Sequence, residues 1–94
     1  MKKLTIIIPC FNEIKTIATI INKILNLGEI EKQIIVVDDN STDGSIEIIK
    51  QFQNQKKIDV IFHNSNEGKG ACIISAQKLI NGNVVIIQDA DLEY

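Results

Sequence analysis

Four short apolar runs, separated by longer segments, constrain the fold of this chain more than any other feature of its sequence. They are rich in Ile and Val and mostly lack polar alternation, which is typical of strands buried on both faces of a parallel sheet. Parallel neighbours need a crossover connection, which is usually helical. The runs are LTIIIP (4–9), QIIVV (33–37), DVIF (59–62) and NVVIIQ (83–88).

The three intervening segments space their apolar residues as helices do. The first helix is followed by Gly28, the second should begin within 42–45, and the third should run from about Ala71 to Ile80 before Asn81-Gly82. The sequence therefore predicts an α/β fold, with a Rossmann-like, mostly parallel sheet in the order βαβαβαβ. The apolar residues expected to face inward are Ile14, Ile17, Ala18, Ile21, Ile24 and Leu25, then Ile46, Ile49 and Phe52, then Cys72, Ile73, Ala76, Leu79 and Ile80.

The polar residues of the chain concentrate at the carboxyl ends of the predicted strands. In open α/β sheets ligands bind beyond these ends. The four loops there are PCFNE (9–13), DDNSTDGS (38–45), HNSNEGKG (63–70) and DADLE (89–93). Together they predict one site at this edge of the sheet.

Asp89-Ala90-Asp91 directly follows the last apolar run. Side chains two apart on an extended chain point the same way, so both carboxylates can face one ion. Two charges about 4 Å apart repel by about 4 kcal/mol at an effective dielectric of 20, and a divalent cation would relieve this. Oxygen ligands suit Mg²⁺ or Mn²⁺. The alternative is a solvated acidic turn.

Asp38 and Asp39 end the second apolar run, and residues 41–43 offer caps for the helix that follows. Neighbours on a strand point in opposite directions, so one acid can brace the loop while the other faces the cleft. An acid at this place also occurs in dinucleotide-binding domains. That alternative requires a glycine-rich first loop, and PCFNEIKT (9–16) contains no glycine.

NEGKG (66–70) opens the third predicted helix, where backbone N–H groups and Lys69 would suit an anion. It departs from a P-loop, because His63 and Gly70 stand where that motif needs Gly and Ser/Thr. A plain glycine turn with a solvated lysine is the alternative. Glu13, the acid of the first loop, could instead cap the first helix.

Composition narrows the class of protein. The 94 residues suffice for one domain, and a net charge of −2 gives no electrostatic reason to expect nucleic-acid binding. Cys10 and Cys72 have no metal-type spacing and form no disulfide framework, so we expect packing roles and a reducing, cytoplasmic setting. His63 is expected to be a loop residue.

Taken together, IIIPCFNE, IIVVDDNSTDGS, NEGKG and VVIIQDADLEY resemble the amino-terminal half of family 2 glycosyltransferases. The order and spacing are most similar to the branch that makes dolichyl- or polyprenyl-phosphate sugars. The resemblance implies a GT-A fold that binds a nucleoside-diphosphate sugar with Mg²⁺ or Mn²⁺. It also implies that residues 1–94 are the donor half, cut after the D-x-D motif, with a sheet incomplete on its C-terminal side.

Carried over position by position, the resemblance implies that Asp89 and Asp91 bind the metal and that Asp38 supports its loop. Glu93 stands where some relatives supply a further metal contact. Phe11 stands where many relatives have Tyr. The nucleotide-sugar-binding residues implied are Pro9, Phe11, Glu13, Val37, Asp39, Lys69, Asp89, Ala90 and Asp91.

The implied reaction is an inverting sugar transfer, with the metal neutralising the leaving diphosphate and a carboxylate deprotonating the acceptor. In the family the base and the acceptor site follow the D-x-D strand, so no catalytic residue is assigned within these 94 residues. The resemblance implies a lipid-phosphate acceptor and a cytoplasmic location at the inner face of a membrane. The alternative is an inactive remnant or interaction domain that keeps the fold. We also expect self-association through an exposed sheet edge.

Overall fold

A computed structural model describes residues 2–91, and strands and helices alternate along them as predicted. The helices have 8 to 10 residues, and within residues 2–91 none is long and apolar enough to cross a membrane. The elements are β1 (Leu4–Cys10), α1 (Ile17–Leu25), β2 (Lys32–Asp38), α2 (Ser45–Asn54), β3 (Asp59–Phe62), α3 (Lys69–Ala76), a 3₁₀ turn (Gln77–Leu79) and β4 (Val84–Ile87).

The four strands form one sheet in the order β3-β2-β1-β4, and every pair is parallel. The prediction of a parallel, Rossmann-like α/β sheet is therefore confirmed. The chain builds outward from β1 in one direction through β2 and β3, then returns to place β4 on the other side of β1. The strand order reverses between β1 and β4, and such a switch point is where ligands bind in folds of this kind.

Helices cover the two faces of the central strands, so the core has two layers. Ile8 and Val36 point into the layer beneath α1 and α2, and their neighbours Ile7 and Ile35 point into the layer beneath α3. All four side chains are fully buried. This explains the unbroken apolar runs, since either face of β1 and β2 meets a helix.

The two edge strands differ from the prediction that all four strands are buried on both faces. In β3, Asp59 is exposed and the other residues are partly buried. The difference is larger for β4. Its residues, Val84 to Ile87, are each 43–46% exposed. β4 lies at the edge of the sheet and pairs with β1 alone. Its apolar sequence is that of an interior strand, but among residues 2–91 no helix covers it.

The first helix was predicted too long at its N-terminal end. Ile14 lies outside α1 and is 41% exposed. Its backbone N–H donates to Asp43 Oδ2 at 3.1 Å, and the Glu13 carbonyl accepts from the N–H groups of Thr16 and Ile17. These bonds form a turn ahead of the helix. The helix also ends at Leu25, so Gly28 (φ +87°) belongs to the following loop.

The third helix was predicted too late and too long. α3 begins at Lys69 and gives way after Ala76 to the 3₁₀ turn. The tighter turn rotates Leu79 off the predicted stripe, leaving it 38% exposed. Cys72 and Ala76 remain as the buried residues of the helix.

Candidate functional site

One pocket opens at the switch point, between the carboxyl ends of β1 and β4. It gathers eight of the nine residues named from the sequence as nucleotide-sugar contacts. The two cysteines join them. Its lining residues are Pro9, Cys10, Phe11, Glu13, Asp39, Lys69, Cys72, Asp89, Ala90 and Asp91.

Val37 is the predicted contact that the structure does not bring to the pocket. Its side chain is fully buried in the layer beneath α3, beside Cys72 and Ala76. It shares a strand with Asp38 but points into the core. Any contact with a ligand at this position would have to come from the backbone.

The Asp89-Ala90-Asp91 segment is anchored through its middle residue. Ala90 is 3% exposed, and its carbonyl accepts a hydrogen bond from Thr16 Oγ1 at 2.6 Å. Since Ala90 faces the core, Asp89 and Asp91 are left on the pocket wall. Across the pocket, Lys69 Nζ donates to Asp89 Oδ1 at 2.6 Å, although both side chains are more than half exposed.

Asp38 braces its own loop, as predicted. It is fully buried, and Ser41 donates to its two oxygens, through the backbone N–H at 2.9 Å and through Oγ at 2.6 Å. The turn after β2 is thereby closed by a carboxylate. The prediction that one of residues 41–43 caps α2 is wrong, because the N-cap is Gly44, which has no side chain; Asp43 Oδ1 instead accepts from the N–H and Oγ of Ser45, the first residue of the helix.

Asp39 borders the pocket, but its oxygens are already occupied by the loop after β3. They accept the backbone N–H groups of Glu67 and Gly68 at 2.8–3.1 Å, and His63 Nδ1 lies 2.8 Å away. Burial alone would raise the pKa of this carboxyl, but the two N–H groups and the imidazole lower it below its ordinary value. Asp39 is thus an ionised anchor for the segment that leads into α3.

The loops after β1 and β2 are joined by side-chain hydrogen bonds. The Asn12 N–H donates to Ser41 Oγ at 2.9 Å, and Asn12 Oδ1 accepts from the Thr42 N–H at 2.7 Å. The Glu13 N–H donates to Ser45 Oγ at 3.1 Å. These bonds fix the wall of the pocket that carries Phe11, whose ring is 45% exposed.

His63 was predicted from the sequence to be a loop residue. It does lie in a loop, but its side chain is buried and both ring nitrogens have hydrogen-bond partners. Its Nδ1 meets Asp39 and its Nε2 lies 2.8 Å from Ser75 Oγ, while its side chain is 7% exposed. Ser75 drew no attention in the sequence. Its spacing of three from Cys72 on α3 places both on one helix face, a signal that becomes informative only once α3 is located over β2.

The cysteines pack as predicted. Burial, followed by the nearby charge of Asp38, raises the pKa of the Cys10 thiol to about 12. Burial, followed by the charge of Asp39, raises that of Cys72 to about 11. Both pKa values lie well above neutral pH, so both thiols are protonated when no metal ion is bound. Glu93, the further metal contact implied by the resemblance, lies outside the described residues.

The geometry and the motifs agree with a comparison against protein families. The model described as "Glycosyl transferase family 2" matches residues 5–94. The chain belongs to this family. The resemblance stated from the four loop motifs is thereby confirmed.

Curated relatives of this family member include two polyprenyl-phosphate sugar transferases. The undecaprenyl-phosphate 4-deoxy-4-formamido-L-arabinose transferase of Photorhabdus laumondii is 33% identical over 99 residues, covering 99% of this chain and 30% of the relative. The dolichol-phosphate mannosyltransferase of Pyrococcus furiosus is 30% identical over 93 residues, covering 98% and 26%. The chain thus spans less than a third of the length of either.

Solved structures place the family member among GT-A glycosyltransferases. Staphylococcus aureus TarS 1–349 in complex with UDP-GlcNAc superposes with a TM-score of 0.83 at 29% identity, over 95% of this chain and 26% of that one. The mannosyltransferase PcManGT of Pyrobaculum calidifontis, in complex with GDP-Man and Mn²⁺, gives 0.84 at 24% identity, over 96% and 28%. The second likeness supports the fold alone.

Proposed function

We propose that this chain is the donor-binding half of a glycosyltransferase that moves a sugar from a nucleoside diphosphate to an acceptor. The observation that carries the proposal is the pocket at the switch point between β1 and β4. It is lined by an exposed aromatic ring, a lysine and four carboxylates, two of which are the D-x-D acids. These are groups suited to a base, a diphosphate and a divalent cation.

The residues present fit a divalent cation. Asp89 and Asp91 offer the hard oxygen ligands that Mg²⁺ and Mn²⁺ prefer. The ammonium of Lys69 lies 2.6 Å from Asp89 Oδ1, so one positive charge already neighbours this carboxylate, which supports the proposal. When bound, the cation would neutralise charge on the leaving diphosphate. Lys69, released from Asp89, would then reach the phosphates.

The remaining pocket residues would position the nucleoside. Phe11 presents a ring on which a base can stack, and Pro9 precedes it on the same wall. Ala90 keeps the D-x-D segment close to the backbone of the first loop through its bond to Thr16. The hydrogen-bonded loops around Asn12 keep this wall in place without the donor.

The acceptor and the base are proposed to belong to sequence beyond these 94 residues. The chain covers 26–30% of the two polyprenyl-phosphate transferases that it resembles. Their names support a lipid-phosphate acceptor, and a UDP-GlcNAc complex of TarS supports a nucleoside-diphosphate sugar as donor. A lipid acceptor would place the protein at the inner face of a membrane, with its pocket in the cytoplasm.

A second candidate is an interaction domain that keeps the fold without catalysis. It is favoured by the half-exposed apolar edge of β4. Such an edge can pair with another copy of the chain. This reading predicts self-association in sedimentation and no binding of nucleotide.

Calorimetric titration with UDP and GDP, with and without Mn²⁺, separates the two candidates. We expect binding of one nucleotide that depends on the metal and weakens at least tenfold in Asp91→Asn. Glu29→Gln, which removes an exposed charge far from the pocket lining, is the matched control and should bind normally. Binding that is indifferent to metal and to Asp91→Asn would contradict the donor-site proposal.

A further inference from the structure

A cluster of three different metal-ligating side chains lies at the inner wall of the pocket, separate from the D-x-D acids. A carboxylate oxygen of Asp39, an imidazole nitrogen of His63 and Sγ of Cys72 all lie within 4.8 Å of one another. Each comes from a different element. Asp39 follows β2, His63 follows β3, and Cys72 belongs to α3.

We propose that Asp39, His63 and Cys72 form a binding site for a borderline-soft divalent cation such as Zn²⁺. One oxygen, one nitrogen and one sulfur ligand make a set that Zn²⁺ accepts and that Mg²⁺ does not favour. Tetrahedral Zn²⁺ bonds of about 2.0–2.3 Å separate neighbouring ligands by roughly 3.3–3.8 Å. A pair at the 4.8 Å limit therefore needs to close by roughly 1.0–1.5 Å, whereas His63 Nδ1 and Asp39 Oδ1, which lie 2.8 Å apart, need to open by roughly 0.5–1.0 Å.

The cluster is supported by a second set of hydrogen bonds of the kind found behind metal ligands. His63 Nε2 faces Ser75 Oγ at 2.8 Å, which leaves Nδ1 directed toward Asp39. The Asp39 carboxylate is oriented by the N–H groups of Glu67 and Gly68. The ligands are therefore brought together before a cation arrives, and binding requires only local adjustment of their side chains.

Charge and protons balance at the loaded site. The two positive charges of the cation are balanced by one negative charge on the Asp39 carboxylate and one on a Cys72 thiolate. The buried site is therefore neutral. The thiol proton leaves to solvent. The imidazole proton, which Nδ1 donates to Asp39 without the cation, moves to Nε2 and is donated to Ser75 Oγ. Asp39 and Cys72 both border the pocket, so a water or a ligand can take the fourth position from that side.

Co²⁺ substitution tests the site directly, because a thiolate ligand gives a charge-transfer band in the near ultraviolet. We expect the band in the native protein at one equivalent of Co²⁺, displaced by Zn²⁺. It should persist in Cys10→Ser, the matched control that removes the other buried cysteine of the pocket. It should also persist in Asp91→Asn, which alters the D-x-D acids only.

The band should vanish in Cys72→Ser, and Ser75→Ala should lower Co²⁺ affinity by about tenfold or more. Absence of the band in the native protein would overturn the proposal, and this result needs no variant to fold. Loss of the band in Cys10→Ser, or Co²⁺ binding that only Asp91→Asn abolishes, would overturn it as well.

A consequence rests on the proposed function: a cation held by Asp39 occupies a carboxylate that the resemblance counts among the nucleotide-sugar-binding residues. Saturating Zn²⁺ should then weaken UDP or GDP binding in the native protein and not in Cys72→Ser. If neither nucleotide binds, the proposed donor site fails while the cobalt band still decides the cation site. Equal weakening in both proteins would contradict the antagonism.

Discussion

The two acid pairs at the carboxyl ends of β2 and β4 are built in opposite ways. Asp38 and Asp39, at the end of β2, are buried, and four backbone or side-chain groups donate to their oxygens in addition to His63. Asp89, at the end of β4, has its side chain 57% exposed, and Lys69 is its charged partner among residues 2–91. The first pair holds loops together, whereas the Asp89 carboxylate is exposed at the pocket wall and holds no loop in place.

The largest expected effect comes from removing the buried brace. Asp38→Ala leaves the N–H and Oγ of Ser41 without their acceptor in a site that water does not reach, so we expect the free energy of unfolding to fall by about 2 to 4 kcal/mol. Urea denaturation measures it. Asp91→Ala, in the D-x-D pair, should stay within about 0.5 kcal/mol of the native protein. Equal losses in the two variants would contradict the claim that Asp38 stabilises the fold and Asp91 does not.

The next effect concerns pH. Asp39 has a lowered pKa in the folded protein, so its contribution to stability is present above its unfolded pKa and is lost as pH falls through its folded value. Asp39→Asn should lose about 1.5 to 3 kcal/mol at neutral pH, since charged hydrogen bonds are removed. Its stability should also fall less steeply than that of the native protein below about pH 4.

The decrease in stability with falling pH that remains in Asp39→Asn should come largely from Asp43. Burial acts to raise the pKa of Asp43, but hydrogen bonds from Ser45 and from the Ile14 N–H lower it below its ordinary value. Denaturant midpoints between pH 3 and 7 give both curves. Parallel curves for the two proteins would show that Asp39 is not an ionised anchor.

A smaller effect separates two glycines of the loop that Asp39 holds. Gly68 has φ +94° and donates its N–H to Asp39, whereas Gly70 lies within α3 in open space. Gly68→Ala should cost about 1 kcal/mol or more, because an L side chain is strained at positive φ. Gly70→Ala should be neutral or stabilising by up to about 1 kcal/mol, since alanine favours helices. Thermal unfolding of both variants measures the difference, and equal shifts would contradict it.

The smallest effect belongs to the exposed ion pair. Lys69→Met should change stability by less than about 0.5 kcal/mol, because both side chains of the Lys69–Asp89 pair are more than half exposed. A double-mutant cycle with Asp89→Asn isolates the coupling. A coupling above about 1.5 kcal/mol would mean that this pair, too, is structural.

The sequence was sufficient for features that depend on local periodicity. The strands were located within one or two residues, because Ile and Val runs bounded by polar loops depend on neighbours in the chain. The position of the pocket was also predictable, because the polar loops that follow the strands can be read from neighbouring residues in the chain. Parallel order then brings those ends to one edge.

Features that depend on tertiary contacts were not predictable. Nothing in VVII (84–87) distinguishes an edge strand from a central one, so the exposure of β4 was missed. Ile14 continues the apolar stripe of the first helix in the sequence. In the structure its N–H donates to Asp43 of the next loop, and the helix begins only at Ile17. The bonds of His63 to Asp39 and Ser75 join residues 24 and 12 positions apart, beyond the reach of any local pattern.

Paramagnetic broadening by Mn²⁺ tests most directly whether the exposed acid pair is the one that meets the ligand. In ¹H–¹⁵N spectra with UDP or GDP and substoichiometric Mn²⁺, we expect the amide signals of Phe11, Lys69 and Ala90 to broaden, and those of Asn81 and Gly82 at the opposite edge to stay sharp. Asp91→Asn should abolish the broadening, and Glu29→Gln, which removes an exposed charge outside the pocket lining, should leave it in place. Broadening that survives Asp91→Asn would contradict the assignment of the metal to the D-x-D acids.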